Sequence, residues 1–451
     1  MADRARSQSD ELATHGVAKV LAPVAQTLLG RAMPVQVRCW DGSRLGPDSG
    51  PTLYVTSPKA VRQLLWEPSQ VGLARALLAG QVSIEGDVVE VLERLVSAVT
   101  APDAELPAAG WRDRLAIVKA AASLGALGLP ERPPPEEARL RGRLHSPRRD
   151  AEAVSHHYDV SNEFYRLFLG PTMTYSCAYW PAGVDTLDQA QTAKYELVAR
   201  KLGLEPGKRL LDVGCGWGGM ALHAASVHGC EVVGITISQN QAELARQRVE
   251  DADLGDRIEI RLQDYRDVDD AGFDAISSIG MFEHVGPDQL REYFTLLLAR
   301  LRPGGRLLNH GIARPTPGGG GRPDPHSFVN RYIFPDGDLR EVGQVITLME
   351  GAGFEVRDLE CLREHYGRTL RAWAVALQSS WSEAVEQVGE RRALIWLIYL
   401  AGCAVSFEEG ATTIHQVLAV RPDGGRSGLP ASRAQLMGWD DPQSLVTAPT
   451  L

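Results

Sequence analysis

Cysteine is scarce in this chain and scattered: the 6 in 451 residues stand at positions 39, 177, 215, 230, 361 and 403. With no C-x-x-C pair they exclude a disulfide framework and a zinc ribbon, and no metal site is expected. A reducing cytoplasm is the expected setting. Long apolar runs are missing too. The longest, residues 393–405, is too short to cross a bilayer and predicts a buried helix. The opening MADRARSQSDELATHG has acids and no apolar segment, so no secretory signal is expected. Net positive charge is absent: 47 basic residues face 57 acids, and the balance of −10 argues against nucleic acid as a partner. A local basic patch can still act where the whole molecule cannot. Arg139, Arg141, Arg143, Arg148 and Arg149 follow the proline-rich ERPPPEE. They read first as a solvated linker, and second as a strip for anionic headgroups.

What remains is a globular composition, 44% hydrophobic and 23% charged, with length for two domains. Residues 1–130 have the texture of a small mixed α/β domain. VQVRCW (35–40) and PTLYVTS (51–57) read as strands, with helical stretches at 12–29 and 59–65. Residues 131–150 form the Pro/Arg-rich linker, and 151–451 a second domain. There, strands at 209–213, 231–236, 258–262, 273–278 and 305–311 alternate with helical patterns, which predicts a doubly wound, Rossmann-like parallel α/β sheet.

The chemistry starts at KRLLDVGCGWGG (208–219), where a short apolar strand runs into a glycine-rich turn. Gly214 and Gly216 let the backbone turn tightly and approach a ligand. Ligands of open α/β sheets sit outside the carboxyl ends of the strands. The spacing G-x-G-x-G differs from that of dinucleotide folds and lacks the Lys-Ser/Thr of a phosphate loop. Asp212, just before the glycines, suits a ligand with a cationic amino acid portion, and the combination points to S-adenosylmethionine. The next strand end, EVVGITISQNQ, has no acid for ribose hydroxyls but offers Thr236, Ser238 and Gln241. RLQDYRD supplies Asp264, Tyr265 and Arg266, suited to adenine. SIGMFEHVG then places Glu283 and His284 at the same edge. Upstream, residues 156–180 concentrate Tyr158, Phe164, Tyr165, Phe168, Tyr175, Tyr179 and Trp180 around Asp159, Ser176 and Cys177. Such density usually means core; here it also suggests the wall of an apolar pocket.

HHYDVSNEFYRLFLGPTMTYSCAYW, LLDVGCGWGG, GITISQNQ, SIGMFEHVG, RYIFPDGDL and EHYGRTL together resemble the cyclopropane-fatty-acyl-phospholipid synthase family, including the mycolic acid cyclopropane synthases. The resemblance covers about residues 150–425 in matching order. The N-terminal domain, with CWDGS and LARALLAGQVSIEGD, resembles the lipid-associated domain of phospholipid-acting members and the branch that makes 10-methylene acyl chains, precursors of tuberculostearic acid. The resemblance implies that Tyr175, Ser176, Gly214, Gly216, Thr236, Gln241, Tyr265 and Arg266 contact S-adenosylmethionine. It implies that Cys177, Glu283, His310 and Tyr366 hold bicarbonate, with Ile312 contributing backbone. Gly311 and the glycine-rich insertion after it depart from the family pattern at the substrate entrance.

The implied reaction transfers a one-carbon unit to the cis double bond of an acyl chain in unsaturated membrane phospholipid. The alkene is a poor nucleophile, so it must be positioned against the sulfonium methyl in a dry pocket. Attack leaves a carbocation, and bicarbonate acts as the base. Early deprotonation closes a cyclopropane; a hydride shift first gives an exocyclic methylene. The resemblance thus implies a cytoplasmic enzyme, peripheral at the inner face of the membrane. It leaves room for a homodimer, and for a partner reductase if the product is methylene-branched. Two other readings stand beside it: a methyltransferase for a soluble small molecule, and a non-catalytic lipid-binding protein.

Overall fold

The computed structural model describes residues 15–100, 110–137, 160–286, 288–315, 326–334 and 339–437. The arginine cluster at 139–149, the segment 156–159 and the glycine-rich loop 316–325 lie outside them. The described residues gather into two compact units. One draws on Met1–Gly142, Pro323–Pro335 and Trp381–Val405, the other on Arg143–Arg322, Asp336–Ser380 and Ser406–Leu451.

The first unit holds a four-stranded sheet of β1 (Gln36–Cys39), β2 (Arg44–Leu45), β3 (Thr52–Val55) and β4 (Val82–Glu85), in the order β2-β1-β3-β4. The β1–β3 pair is parallel and its two outer pairings are antiparallel. Helices Gly16–Leu29, Pro58–Trp66, Gln70–Leu78, Val88–Thr100 and Trp111–Ser123 accompany it. The apolar run at 393–405 lies in helix Glu390–Glu408, where Leu400, Ala401 and Ala404 are fully buried. No helix among the described residues is long and apolar enough to cross a membrane.

The second unit is built on β5 (Arg209–Val213), β6 (Glu231–Thr236), β7 (Ile258–Leu262), β8 (Phe273–Ile279), β9 (Leu301–Ala313), β10 (Glu355–Cys361) and β11 (Thr413–Val420). Their order is β10-β11-β9-β8-β5-β6-β7. Strands β5 to β9 pair in parallel, as the alternation of strand and helix predicts. Strand β11 does not: it runs antiparallel to both β9 and β10. The reason is where the chain re-enters. Arg363, just after β10, donates to the carbonyls of Phe407 and Glu408, so the intervening helices return the chain to the edge it left.

Successive strand residues face opposite sides of a sheet, and two cores follow. Leu210, Ala275, Leu308 and Leu418 pack with residues of helices Leu187–Leu202, Gly219–His228 and Gln239–Asp251. Their neighbours Leu211, Ile276, Leu307 and Val417 pack with residues of helices Leu290–Arg300 and Val342–Ala352. The sheet is therefore doubly wound. The parity carries through to the polar positions: Asp212, Ser277, His310 and Gln416 project from the first face, toward helix Leu187–Leu202.

That helix carries a lysine on its buried side. Lys201 is fully buried and pairs with Glu360 at 2.5 Å and Asp358 at 3.5 Å, tying the helix to β10. Losing one partner of a buried pair leaves the others uncompensated, at a cost of about 3–5 kcal/mol. Lys201→Met should therefore lower the unfolding free energy by roughly 3 kcal/mol in urea titrations, and Glu360→Gln in that background should recover part of it. A Lys201→Met protein as stable as the parent would show that the pair contributes nothing.

Candidate active site

The turn after β5 puts Gly214 and Gly216 at φ +75° and +56°, and the backbone N–H groups of Gly214 and Cys215 both donate to the Ile235 carbonyl at 2.9 Å. A Cβ on Gly216 would meet no atom within 4 Å, so this glycine faces open space beyond the strand ends. Asp212 lies beneath the turn, 2% exposed, with Oδ1 accepting from Ser277 Oγ at 2.6 Å. Its Oδ2 is buried without a hydrogen-bond partner among the described residues. Burial raises its pKa to about 6, against the opposing pull of Ser277 and the Lys194 charge.

Beside the turn, Thr236 Oγ1 donates to Gln241 Oε1 at 2.8 Å, while Ser238 caps helix Gln239–Asp251. Asp264 caps the short turn Tyr265–Asp267 and holds the Arg266 guanidinium in a bidentate pair at 2.8 and 2.7 Å. That guanidinium sits 5.2 Å from the centre of the Tyr265 ring. These groups line the ends of β6 and β7 in the order in which the sequence presents them.

Of the aromatic segment, Phe164, Tyr165 and Phe168 are fully buried core. Tyr175 is only half-buried and packs against Tyr165 at 5.7 Å and Trp373 at 5.4 Å. Ser176 is also half-buried; Cys177 behind it is fully buried, its thiol donating to the carbonyls of Ala178 and Leu362. Burial pushes the Cys177 thiol far up, so it stays protonated. Helix Leu187–Leu202 braces this segment from below. Gln191 Nε2 donates to the carbonyls of Thr174 and Ser176 at 3.4 and 3.0 Å, Tyr195 hydrogen-bonds Thr174, and Lys194 Nζ donates to Ser176 Oγ at 3.2 Å.

At the ends of β8 and β9 the second group assembles. Glu283 Oε1 accepts the Ile312 backbone N–H at 2.8 Å, and Oε2 is buried with no partner among the described residues. Burial raises this carboxyl to about 7. The Ile312 amide thus serves Glu283. Gly311 explains itself sterically: a Cβ there would stand 1.9 Å from the Phe282 ring, so only glycine lets Phe282 lie on β9. Tyr366 is buried, edge-on to Trp373 and 4.7 Å from Phe407. The side chain of His284 lies outside the described set.

His310 is 1% exposed, and its tautomer follows from a chain of fixed donors. Lys201 Nζ, which can only donate, meets Gln416 Oε1 at 2.8 Å. The amide nitrogen of Gln416 therefore faces His310 Nδ1, at 3.4 Å. Nδ1 accepts, so the proton sits on Nε2, which is buried with no partner among the described residues. Desolvation, with Lys194 and Lys201 nearby, holds His310 well below its ordinary pKa and keeps the ring neutral. Lys194, Lys201, Gln191 and Gln416 escape motif reasoning. A signal exists all the same: Gln191, Lys194, Val198 and Lys201 recur at helical spacing, so both lysines fall on the helix face that must be buried.

Apart from this edge, Glu196, His223 and His228 bring ligand atoms within 4.8 Å of one another. Glu196 is already held by Arg200 at 2.7 Å and His228 at 3.0 Å.

A doubly wound sheet, a glycine turn after its first strand and polar groups at the following strand ends define an S-adenosylmethionine-dependent methyltransferase. The comparisons agree. A family model described as mycolic acid cyclopropane synthetase matches residues 145–417. A probable fatty acid methyltransferase of Mycobacterium tuberculosis is 43% identical over 406 residues, which are 86% of this chain and 92% of that protein. A probable fatty acid methyltransferase of Pseudomonas putida is 40% identical over 430 residues, 92% of this chain and 100% of that protein. A cyclopropane synthase structure from Mycobacterium tuberculosis matches with a TM-score of 0.56 at 37% identity, covering 60% of this chain and 97% of that one. A mycolic acid cyclopropane synthase complexed with SAH and CTAB matches with a TM-score of 0.56 at 36% identity, over 60% of this chain and 97% of that one. The chain belongs to the mycolic acid cyclopropane synthetase family, and it is an enzyme of the methyltransferase class.

The donor chain makes a direct prediction. With ¹⁵N-labelled histidine, His310 should show the Nε2–H tautomer and no titration between about pH 6 and pH 8. Gln416→Leu should mix the tautomers. A midpoint within that range in the parent protein would mean that His310 is solvated and the chain is misread.

Proposed function

We propose that the protein transfers a one-carbon unit from S-adenosylmethionine to the cis double bond of an unsaturated acyl chain in membrane phospholipid. Residues 1–130 serve as the lipid-associated domain, 131–150 as the linker and 151–451 as the catalytic domain. The observation that supports the reading most is the pair of buried, unpartnered polar atoms, His310 Nε2–H and Glu283 Oε2, at adjacent strand ends. Leaving such atoms bare costs about 1–3 kcal/mol each, and a small oxyanion that both donates and accepts fits them. Glu283, His310, Cys177 and Tyr366 would hold bicarbonate, the base for the methyl proton, and the Ile312 backbone would act through Glu283, whose carboxylate its amide holds. Glu283 orients that ion through its free oxygen, and neutral His310 donates to it. Tyr175, Ser176, Asp212, Gly214, Gly216, Thr236, Gln241, Tyr265 and Arg266 would hold the cofactor, whose sulfonium supplies an electrophilic methyl. The open space before Gly216 and the free oxygen of Asp212 fit a ligand with an adenosyl and an ammonium part.

The tightly packed rings of Tyr175, Trp373 and Tyr366 exclude water that would trap a carbocation, and their faces stabilise positive charge. The same base serves ring closure and methylene formation. The N-terminal resemblance favours the methylene-branched product, which a partner reductase would then saturate. Oleoyl phospholipid incubated with S-adenosylmethionine and bicarbonate should yield product with vinylic methylene signals in proton NMR. Ring signals alone would overturn the methylene preference, and an unchanged oleoyl chain would overturn the acyl-transfer reading.

Glu283 must be ionised to accept, and burial places its pKa at about 7. kcat/KM should therefore rise as pH rises through about 7. Glu283→Gln should remove that limb and about 100-fold or more of the turnover, with cofactor binding kept. Near-normal turnover would take Glu283 out of the catalytic set.

Membrane contact is supported by helix Trp111–Ser123. Trp111, Leu115 and Val118 are 71%, 46% and 48% exposed. Their spacing of four and three residues places them on one face. Exposed Arg112 and Lys119 stand on the same helix, matching an anionic lipid surface. Trp111→Ser with Leu115→Ser should weaken binding to phosphatidylglycerol vesicles about tenfold. Undiminished binding would move the contact elsewhere.

A further inference from the structure

Helix Leu187–Leu202 buries two lysines seven residues apart, and only one of them forms an ion pair at contact distance among the described residues. Lys201 is paired with Glu360 at 2.5 Å and Asp358 at 3.5 Å. Lys194 is 1% exposed, yet no carboxylate among the described residues comes within 4.0 Å of its nitrogen. Its one hydrogen bond among them is to Ser176 Oγ at 3.2 Å, and an ammonium has three protons to give. The centre of the Tyr195 ring lies 4.3 Å from the same nitrogen. A buried lysine with no ion pair is costly to charge, so a fold that keeps one at a ligand site has a use for it.

We infer that Lys194 forms the floor of an anion subsite that takes a carboxylate-type group: the methionyl carboxylate of the cofactor or bicarbonate. The inference rests on the methyltransferase reading above. Ser176, which Lys194 holds, is half-buried beside Tyr175. Asp212, on the other side, keeps Oδ2 for a cationic group. An ammonium and a carboxylate that interact electrostatically on one sheet face match the two ends of an amino acid moiety. His310 lies on the same sheet face, so bicarbonate reaches the same cation from the β9 side. The titratable groups facing Lys194 are Cys177, Asp212, Tyr195, His223 and His310. Burial lowers the lysine to about 7, so at pH 8 it is largely neutral without ligand. An anion bound against it restores the charge and draws in a proton.

The test is calorimetry at pH 8 in two buffers of unlike ionisation enthalpy, with S-adenosylmethionine, its decarboxylated analogue, and bicarbonate as probes. Proton uptake on binding S-adenosylmethionine, absent with the decarboxylated analogue, assigns the subsite to the cofactor carboxylate. Uptake with bicarbonate instead assigns it to that ion. In either case Lys194→Met should abolish the uptake and weaken the relevant anion about tenfold or more. Affinity for the analogue should hold. Circular dichroism checks that the variant folds, and Lys194→Gln replaces it if it does not. Comparison with the folded variant separates uptake by Lys194 from uptake by the cofactor's own α-amino group beside Asp212. No uptake with either anion, or unchanged affinities in a folded variant, overturns the assignment and leaves the cofactor reading intact. If the unaltered protein binds neither S-adenosylmethionine nor its analogue, both fall together.

Discussion

Burial of charge under one face of the sheet is the constraint on which the rest of this catalytic unit depends. Lys201 sits fully inside, and its pairing with Glu360 and Asp358 makes helix Leu187–Leu202 part of the sheet's own structure. Its remaining donor reaches Gln416 and, through that amide, sets the protonation of His310. The chemistry of the candidate base site is thus fixed from behind by a structural ion pair. A rigid second layer of this kind is what keeps reacting groups within fractions of an ångström.

The groups at the strand ends share a different condition. Asp212 is raised to about 6 and Glu283 to about 7, while Lys194 is lowered to about 7, and desolvation is the leading cause in each. In each, a dry environment works against the charged form, and no protein partner fully offsets it. The ammonium of an amino acid end would oppose the charge of Asp212 and its carboxylate that of Lys194, while Glu283 would meet a small anion only through that anion's own proton. Binding would then favour the charged forms of Asp212 and Lys194, and the electrostatics would strengthen because the site stays dry. Perturbed groups gathered in this way mark functional sites more often than scattered ones do.

Much of the catalytic fold was legible from periodicity. The strands at 209–213, 231–236 and 258–262 fall where the apolar runs and glycines place them, because each is bounded by turn residues. Strand β9 extends beyond its expected 305–311, to Leu301–Ala313, since Pro303 and two glycines hide its start. The direction of β11 was not legible. Apolar alternation reports which face a residue takes, and says nothing of which way the strand runs. The aromatic run at 156–180 was readable only in part: ring density marks core and pocket wall alike, and helix packing decided that Phe164 and Phe168 belong to the core. The glycine turn stood out because its residue types are rare together. Lys194 and Lys201 did not, because lysine on a helix ordinarily means solvent. Only their place on the buried face betrays them.

Gly311 shows how a small departure can be part of the site's construction. Phe282 and Glu283 are consecutive, and both are held by β9: the ring of Phe282 lies against Gly311, and the carboxylate of Glu283 takes the amide of Ile312. One contact is steric and the other polar, on neighbouring residues of one strand. Together they fix the short turn Phe282–His284 in both position and rotation. A side chain at 311 would push the ring away and drag Glu283 off the Ile312 amide with it. The glycine therefore belongs to the placement of Glu283 itself, because no other residue lets the turn lie flat enough for its carboxylate to reach the edge where His310 stands.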